Sequence, residues 1–202
     1  MLAIGLTGGI GAGKSAVADL LVARGAILVD ADVLARELVA PGGVAYAPLV
    51  DRFGPAVVAA DGTIDRPALA ALAFADPGAL ADLNAITHPA IGAAMLARRD
   101  ALTRADAGAV AVFAVPLLTA AHRVTLGLDA VVVVDCPTGV AIERLVAHRG
   151  MAREDAAARV AAQLPRAARR ALADFVVDNA RTPRHLEREV DRLWEWLAAR
   201  RR

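Results

Sequence analysis

Lysine is almost missing from this chain: of its 23 basic Lys and Arg residues, 22 are arginine and one is Lys14. Cysteine is as scarce. Cys136 stands alone, so no intramolecular disulfide can form, and a small residue packed at a strand end is expected rather than a catalytic thiol. Aromatic residues make up only 3%, so a core must be built from the alanine, valine and leucine that dominate the 57% hydrophobic fraction. No uninterrupted apolar run approaches the ~18 residues of a membrane-spanning helix. The opening MLAIGLTGG has no basic leader region and runs into glycines, which predicts a soluble, cytoplasmic chain. Neither sign of charge dominates, and a formal net of +1 argues against a protein that coats nucleic acid. With 202 residues and no repeat or low-complexity linker, one domain is expected.

What is present alternates. Short apolar runs at 2–6 (LAIGL), 26–29 (AILV), 109–115 (AVAVFAV), 130–134 (AVVVV) and 174–177 (DFVV) are largely β-branched and do not alternate with polar residues. That pattern predicts strands buried on both faces of a parallel sheet. Helix signals lie between them. Val17, Leu20 and Leu21 share a face after Lys14, and Gly25 can end that helix. Asp76-Pro77 and Thr182-Pro183 each offer an N-cap followed by proline at the first helical position. Leu186, Val190, Leu193, Trp194 and Leu197 mark the packing face of a C-terminal helix. The long gap between the second and third runs holds PALAALAFA, PGALADLNAI and PAIGAAMLARRDAL, the last a helix expected to begin at Pro89. The expected architecture is a five-stranded parallel α/β sheet flanked by helices. Its core would comprise 1–40, 108–148 and 174–202, with a helical insertion at about 41–107 and an arginine-rich excursion at about 149–173.

Gly8-Gly9-Ile10-Gly11-Ala12-Gly13-Lys14-Ser15 matches G-x-x-x-x-G-K-[ST] in full, with an expected strand before it and an amphipathic helix after it. Glycines let the backbone curl so that successive N–H groups surround phosphate oxygens, and the helix N-terminus adds partial positive charge. Lys14 can reach the β- and γ-phosphates, and Ser15 can offer its hydroxyl to Mg²⁺. This accounts for the lone lysine. Arginine carries its charge as a broad planar fork, whereas a phosphate held inside a loop calls for a compact charge on a flexible stem. The stretch is a site for a nucleoside triphosphate.

A phosphate loop does not say whether water or a second molecule receives the phosphoryl group. In VDADVLAR (29–36), Asp30 and Asp32 stand at the carboxyl end of the second run, where open α/β sheets place ligands. One of them can accept a proton from an acceptor hydroxyl and help hold Mg²⁺; alternatively, Asp32 caps the helix VLAREL. A small kinase for a nucleoside monophosphate or metabolite, or a nucleotide-operated switch, would also carry such a loop. No guanine-type N-K-x-D motif is present.

Taken in order, IGLTGGIGAGKS, VDADVLAR, FG, DGTIDRPALA, THPAI, VPLL and ADFVVDN resemble the dephospho-coenzyme A kinase family over residues 1 to about 180. The resemblance implies transfer of the ATP γ-phosphoryl group, with Mg²⁺, to the ribose 3′-hydroxyl of dephospho-CoA, and no nucleic-acid or membrane partner. It implies that Gly9, Gly11, Ala12, Gly13, Lys14, Ser15 and Ala16 line the ATP phosphates and that Asn179 lies on the adenine side. It makes Asp32 the catalytic base and, with Ser15, a metal ligand, and it puts Arg36 and His88 on the acceptor side. Residues 147–174 resemble the family's lid, whose closure excludes water and brings arginines to developing charge. Of Arg144, Arg149, Arg153 and Arg159, Arg149 is the first choice for catalysis. Asp135, ending VVVVD, resembles a Walker-B carboxylate that is expected to serve structure. One departure bears on the acceptor pocket: the family commonly carries an acid shortly after PLL, where this chain has Ala120 and Ala121.

Overall fold

A computed structural model describes residues 1–200. Strands β1 (Leu2–Gly8), β2 (Ile27–Asp30), β3 (Val110–Ala114), β4 (Ala130–Asp135) and β5 (Phe175–Asp178) form one parallel sheet in the order β2-β3-β1-β4-β5. Each strand falls on an apolar run marked in the sequence. The three central strands are buried almost throughout, and the edge strands β2 and β5 only in part. Helices are α1 (Lys14–Val22), α2 (Ala31–Leu38), α3 (Tyr46–Phe53), α4 (Arg66–Ala75) and α5 (Pro77–Ala105), followed by α6 (Ala120–Thr125), α7 (Thr138–Arg149), α8 (Arg153–Ala161), α9 (Arg166–Arg170) and α10 (Pro183–Ala198). The chain leaves β1 through α1 for the far edge strand β2, and later returns to place β4 on the other side of β1. The carboxyl end of β1 is therefore the point where connections diverge and open a crevice for a ligand.

The described residues divide into two compact units, 1–30 with 99–200, and 31–98. In the first, Ile4, Leu6, Val112, Val132 and Val134 of the sheet pack with Val17 and Leu21 of α1 and with Leu186, Val190, Leu193 and Leu197 of α10. Burying each such side chain contributes about 1.5–3 kcal/mol. Trp194 is only partly buried beside them, and Glu189 joins the buried face, accepting the Asp178 N–H (3.4 Å) and a bond from Arg192 (2.7 Å). The expected caps are present. Gly25 turns left-handed (φ 95°) after α1, and Thr182 Oγ1 accepts the His185 N–H (3.3 Å) at the start of α10.

The second unit has its own small core of Leu49, Val57, Ile64 and Leu69. The DGTID stretch is a tight turn: Val58 bridges Ile64, Asp61 Oδ1 accepts from the Thr63 N–H (3.0 Å), and Tyr46 Oη donates to Gly62 O (2.6 Å). Asp65 then caps α4 by accepting the Ala68 N–H (3.0 Å). Asp76 does the same for α5 through Ala79 (2.7 Å), as expected. The helix start expected at Pro89 is not found. Pro89 lies inside α5, a continuous helix of 29 residues. Proline has no N–H to give Ala85, a cost of about 3 kcal/mol inside a helix, yet strong helix formers extend on both sides of it. Their summed propensity carries the helix through.

Candidate active site

The phosphate loop joins β1 to α1 at the switch point of the sheet. Gly11 (φ 76°) and Gly13 (φ 91°) both have left-handed backbone. A Cβ at Gly11 would lie 2.7 Å from Ala141 O, and one at Gly13 would lie 2.2 Å from Asn179 Nδ2, so neither position has room for a side chain. Lys14, partly buried, is the first residue of α1, and the exposed Ser15 and Ala16 follow it. Because Gly13 caps this helix without a side chain, no side-chain acceptor takes up its first N–H groups. A helix N-terminus left in this state suits an anion.

The loop is supported from β5. Asn179 is buried; its N–H donates to Asp135 O (2.8 Å), its Nδ2 to Ala12 O (2.8 Å), and its Oδ1 accepts from Arg144 Nη2 (3.4 Å). The amide expected on the adenine side is thus already engaged with the phosphate loop. Arg144 Nη1 is buried with no partner among the described residues. Such an orphan costs about 1–3 kcal/mol unless a ligand satisfies it, and together with the glycine cradle it fits a bound nucleotide.

Asp32 lies two residues beyond the end of β2. Ala31 is already helical, so Asp32 is in the first turn of α2 rather than its N-cap, exposed, with its charge suited to the helix N-terminus. Arg36 is one turn further on the same helix, also exposed. It lines a groove of about 550 Å³ with Val39, Ala40, Thr63, Ile64 and Arg66. The groove therefore combines two guanidiniums with apolar wall. His88 is exposed on α5 and is not part of this lining.

In the arginine-rich stretch after β4, Arg149 is the exposed last residue of α7, ahead of a left-handed Gly150 (φ 63°). Arg153 pairs with Glu143 (2.5 Å), and Arg159 is exposed on α8. Contact with the phosphate loop comes from further along. Gln163 Oε1 accepts the Ile10 N–H (2.9 Å), and a Cβ at Gly9 would lie 2.7 Å from Arg169 Nη2. Arg166 forks onto Asp135, Nε to Oδ1 (2.9 Å) and Oδ2 (3.1 Å) and Nη2 to Oδ2 (2.7 Å), and Arg170 Nη1 adds a fourth bond, to Oδ2 (2.5 Å). Burial pushes the Asp135 carboxyl up, but the bonds and charges of Arg166 and Arg170 outweigh it and hold the group below the usual carboxylate range.

Among the described residues no group of three or more His, Cys, Asp or Glu could hold a metal ion. Mg²⁺ needs only one or two protein oxygens when phosphates and water supply the rest, so Ser15 and one carboxylate suit it.

The family model for dephospho-CoA kinase matches residues 2–184. The chain belongs to the dephospho-CoA kinase family. A dephospho-CoA kinase of Streptomyces avermitilis is 50% identical over 200 residues, covering 99% of this chain and 96% of that relative. One from Thermobifida fusca is 44% identical over 99% of this chain and 98% of its own length. A crystal structure of a Thermus thermophilus protein superposes with a TM-score of 0.78 at 33% identity over 97% of both chains. A dephospho-CoA kinase from Campylobacter jejuni (TM-score 0.67, 22% identity, 96% of this chain and 95% of that one) shares the fold.

For this dephospho-CoA kinase family member, residues not singled out in the sequence are Gln163, Arg166, Arg169 and Arg170 between α8 and β5, and Arg66 of the groove. A signal for two of them was available. Arg166 and Arg170 stand at i,i+4 spacing on one helix face, and a carboxylate ending a buried strand calls for a cation. At the family's departure point, Ala120 and Ala121 open α6, and Thr119 and His122 hold its start through a bond from the Thr119 N–H to His122 Nδ1 (3.1 Å). Cys136 is buried directly after β4, and burial pushes its thiol up, as befits a packing residue.

Proposed function

We infer that this chain is a dephospho-CoA kinase, transferring the ATP γ-phosphoryl group to the ribose 3′-hydroxyl of dephospho-CoA to give CoA and ADP, the last step of CoA biosynthesis. The observation that carries this reading is a complete phosphate loop at the switch point of the sheet, in a chain that matches the family from residue 2 to 184.

Gly9, Gly11, Ala12, Gly13 and the first turn of α1, from Lys14 to Ala16, hold the ATP phosphates, with Lys14 on the β- and γ-phosphates. Asn179 braces the loop from the adenine side through Ala12. Asp32 accepts the proton of the 3′-hydroxyl. As that oxygen bonds to the γ-phosphorus, the bond from phosphorus to the β,γ-bridging oxygen breaks and its electron pair leaves with ADP. Ser15 and Asp32 would hold Mg²⁺ with the phosphate oxygens, where the ion supplies charge neutralisation. Arg149 of the lid adds positive charge at the transferring group. Arg36 and His88 serve the acceptor, and the Arg36–Arg66 groove, charged at two points and apolar between, suits a molecule that joins a diphosphate to an aliphatic chain. No described helix is long and apolar enough to cross a membrane, and a cytoplasmic reaction goes with this reading.

The test is ADP and CoA formation by the purified chain with Mg·ATP, with and without dephospho-CoA, beside Asp32→Asn. Turnover should depend on dephospho-CoA and fall by roughly 10²–10⁴-fold in the variant, the range of general base catalysis. A folded, ATP-binding protein that dephospho-CoA does not stimulate would overturn the assignment.

A further inference from the structure

The second half of the lid holds contacts that the phosphoryl-transfer scheme leaves unused. Helix α9 has five residues and none of them is buried, so apolar packing does not hold it in place. Its anchor is polar. Asp135 ends β4 with its side chain 6% exposed, and all four hydrogen bonds described above reach it from Arg166 and Arg170, one turn apart on α9. Both carboxylate oxygens are thereby engaged by guanidinium groups. The same short segment reaches the phosphate loop. Just before α9, Gln163 accepts the Ile10 N–H, and within it Arg169 lies over Gly9 while donating to Leu164 O.

We propose that Asp135, Arg166 and Arg170 form an electrostatic latch that seats α9 on the end of β4, and that this seating sets Gln163 and Arg169 against the phosphate loop as positioning residues for phosphoryl transfer. The proposal rests on the kinase reading above. Its physical basis is the contrast between the two ends of the contact. A bidentate guanidinium–carboxylate pair has a fixed geometry, whereas Gln163 and Arg169 are long side chains on an otherwise unpacked segment and need that fixed base to stay in register. Holding the Ile10 N–H fixes the backbone between Gly9 and Gly11, next to where the phosphates are bound.

The experiment compares Asp135→Asn, the double variant Arg166→Met/Arg170→Met, and Gln163→Ala with the unaltered chain. The arginine side chains are 42% and 47% exposed, so removing the carboxylate's charge leaves no cation buried without a partner, and Asp135→Asn should fold. Two readouts are taken: kcat and KM for both substrates, and the hydrogen-exchange rate of the Ile10 amide in the ligand-free protein. All three variants should speed Ile10 exchange. Asp135→Asn and the double arginine variant should lower kcat by roughly 10- to 100-fold, the scale of a small misplacement at a reacting centre, with smaller changes in KM. Combining those two should cost no more than either alone, because they break one unit. Unchanged Ile10 exchange in Asp135→Asn overturns the latch. Faster exchange with kcat within twofold of the unaltered chain overturns the positioning role. Failure of the kinase reading would appear separately, as an unaltered chain that dephospho-CoA does not stimulate, and the exchange measurement needs no acceptor.

Discussion

Gly13→Ala tests the geometry of the phosphate loop directly, because a second glycine in the same unit supplies the control. Gly13 and Gly25 have nearly the same left-handed φ, 91° and 95°. A Cβ at Gly25 meets nothing within 4 Å, whereas one at Gly13 lies 2.2 Å from Asn179 Nδ2. Gly25→Ala therefore costs only the left-handed conformation, about 1–2 kcal/mol. Gly13→Ala carries the same strain and must also displace Asn179, whose Nδ2 bond to Ala12 O is buried. Losing that bond and leaving its buried acceptor unsatisfied adds about 1–3 kcal/mol. At roughly 2–4 °C per kcal/mol for a chain of this size, Gly13→Ala should melt about 2–12 °C below Gly25→Ala in a thermal scan followed by circular dichroism. Adding Asn179→Ala to each should close most of that gap, since the collision is then gone. Equal melting of the two single variants, or a gap that Asn179→Ala leaves intact, would refute the proposed packing of Asn179 under the loop.

Two further outcomes follow from named residues. Lys14→Arg keeps the charge but replaces the compact ammonium by a planar fork, so turnover should fall by roughly 10²–10³-fold with the circular dichroism spectrum unchanged; turnover within about threefold would remove the reason offered for the lone lysine. Asp135 titrates below its usual 3.8 in the folded chain. Its contribution is therefore fully present above that unfolded value and is lost as pH falls through the lower folded one. The urea midpoint of the unaltered chain should accordingly drop more steeply than that of Asp135→Asn as acid takes the pH from about 5 toward 2, and parallel curves would contradict the ion pairs to Arg166 and Arg170.

Much of the fold was legible because its causes are local. Uniformly apolar, β-branched runs located all five strands, and Asp76-Pro77 and Thr182-Pro183 located two helix starts within the span of a single turn. The phosphate loop was legible for the same reason: eight consecutive residues carry the whole pattern. Pro89 misled because its penalty is local while the helix through it draws on residues far to either side. The arginines from 144 to 170 were hard to tell apart for another reason. Arginines at 144, 149, 153, 159, 166, 169 and 170 look alike along the chain, and only the position of a buried carboxylate separates Arg166 and Arg170 from a solvated helical face.

By itself the sequence determined where strands and helices form and the phosphate loop with its single lysine, which depend on neighbours a few residues apart, and the family, through an ordered series of such short motifs. Tertiary structure alone decided the order of the strands, the seat of Asn179 beneath Ala12 at a separation of 167 residues, and the joining of Asp135 to Arg166 and Arg170 across 31 and 35 residues. Those contacts exist because the parallel sheet brings the carboxyl ends of β1, β4 and β5 side by side, and a buried charge or amide then takes whatever partner the fold delivers to it.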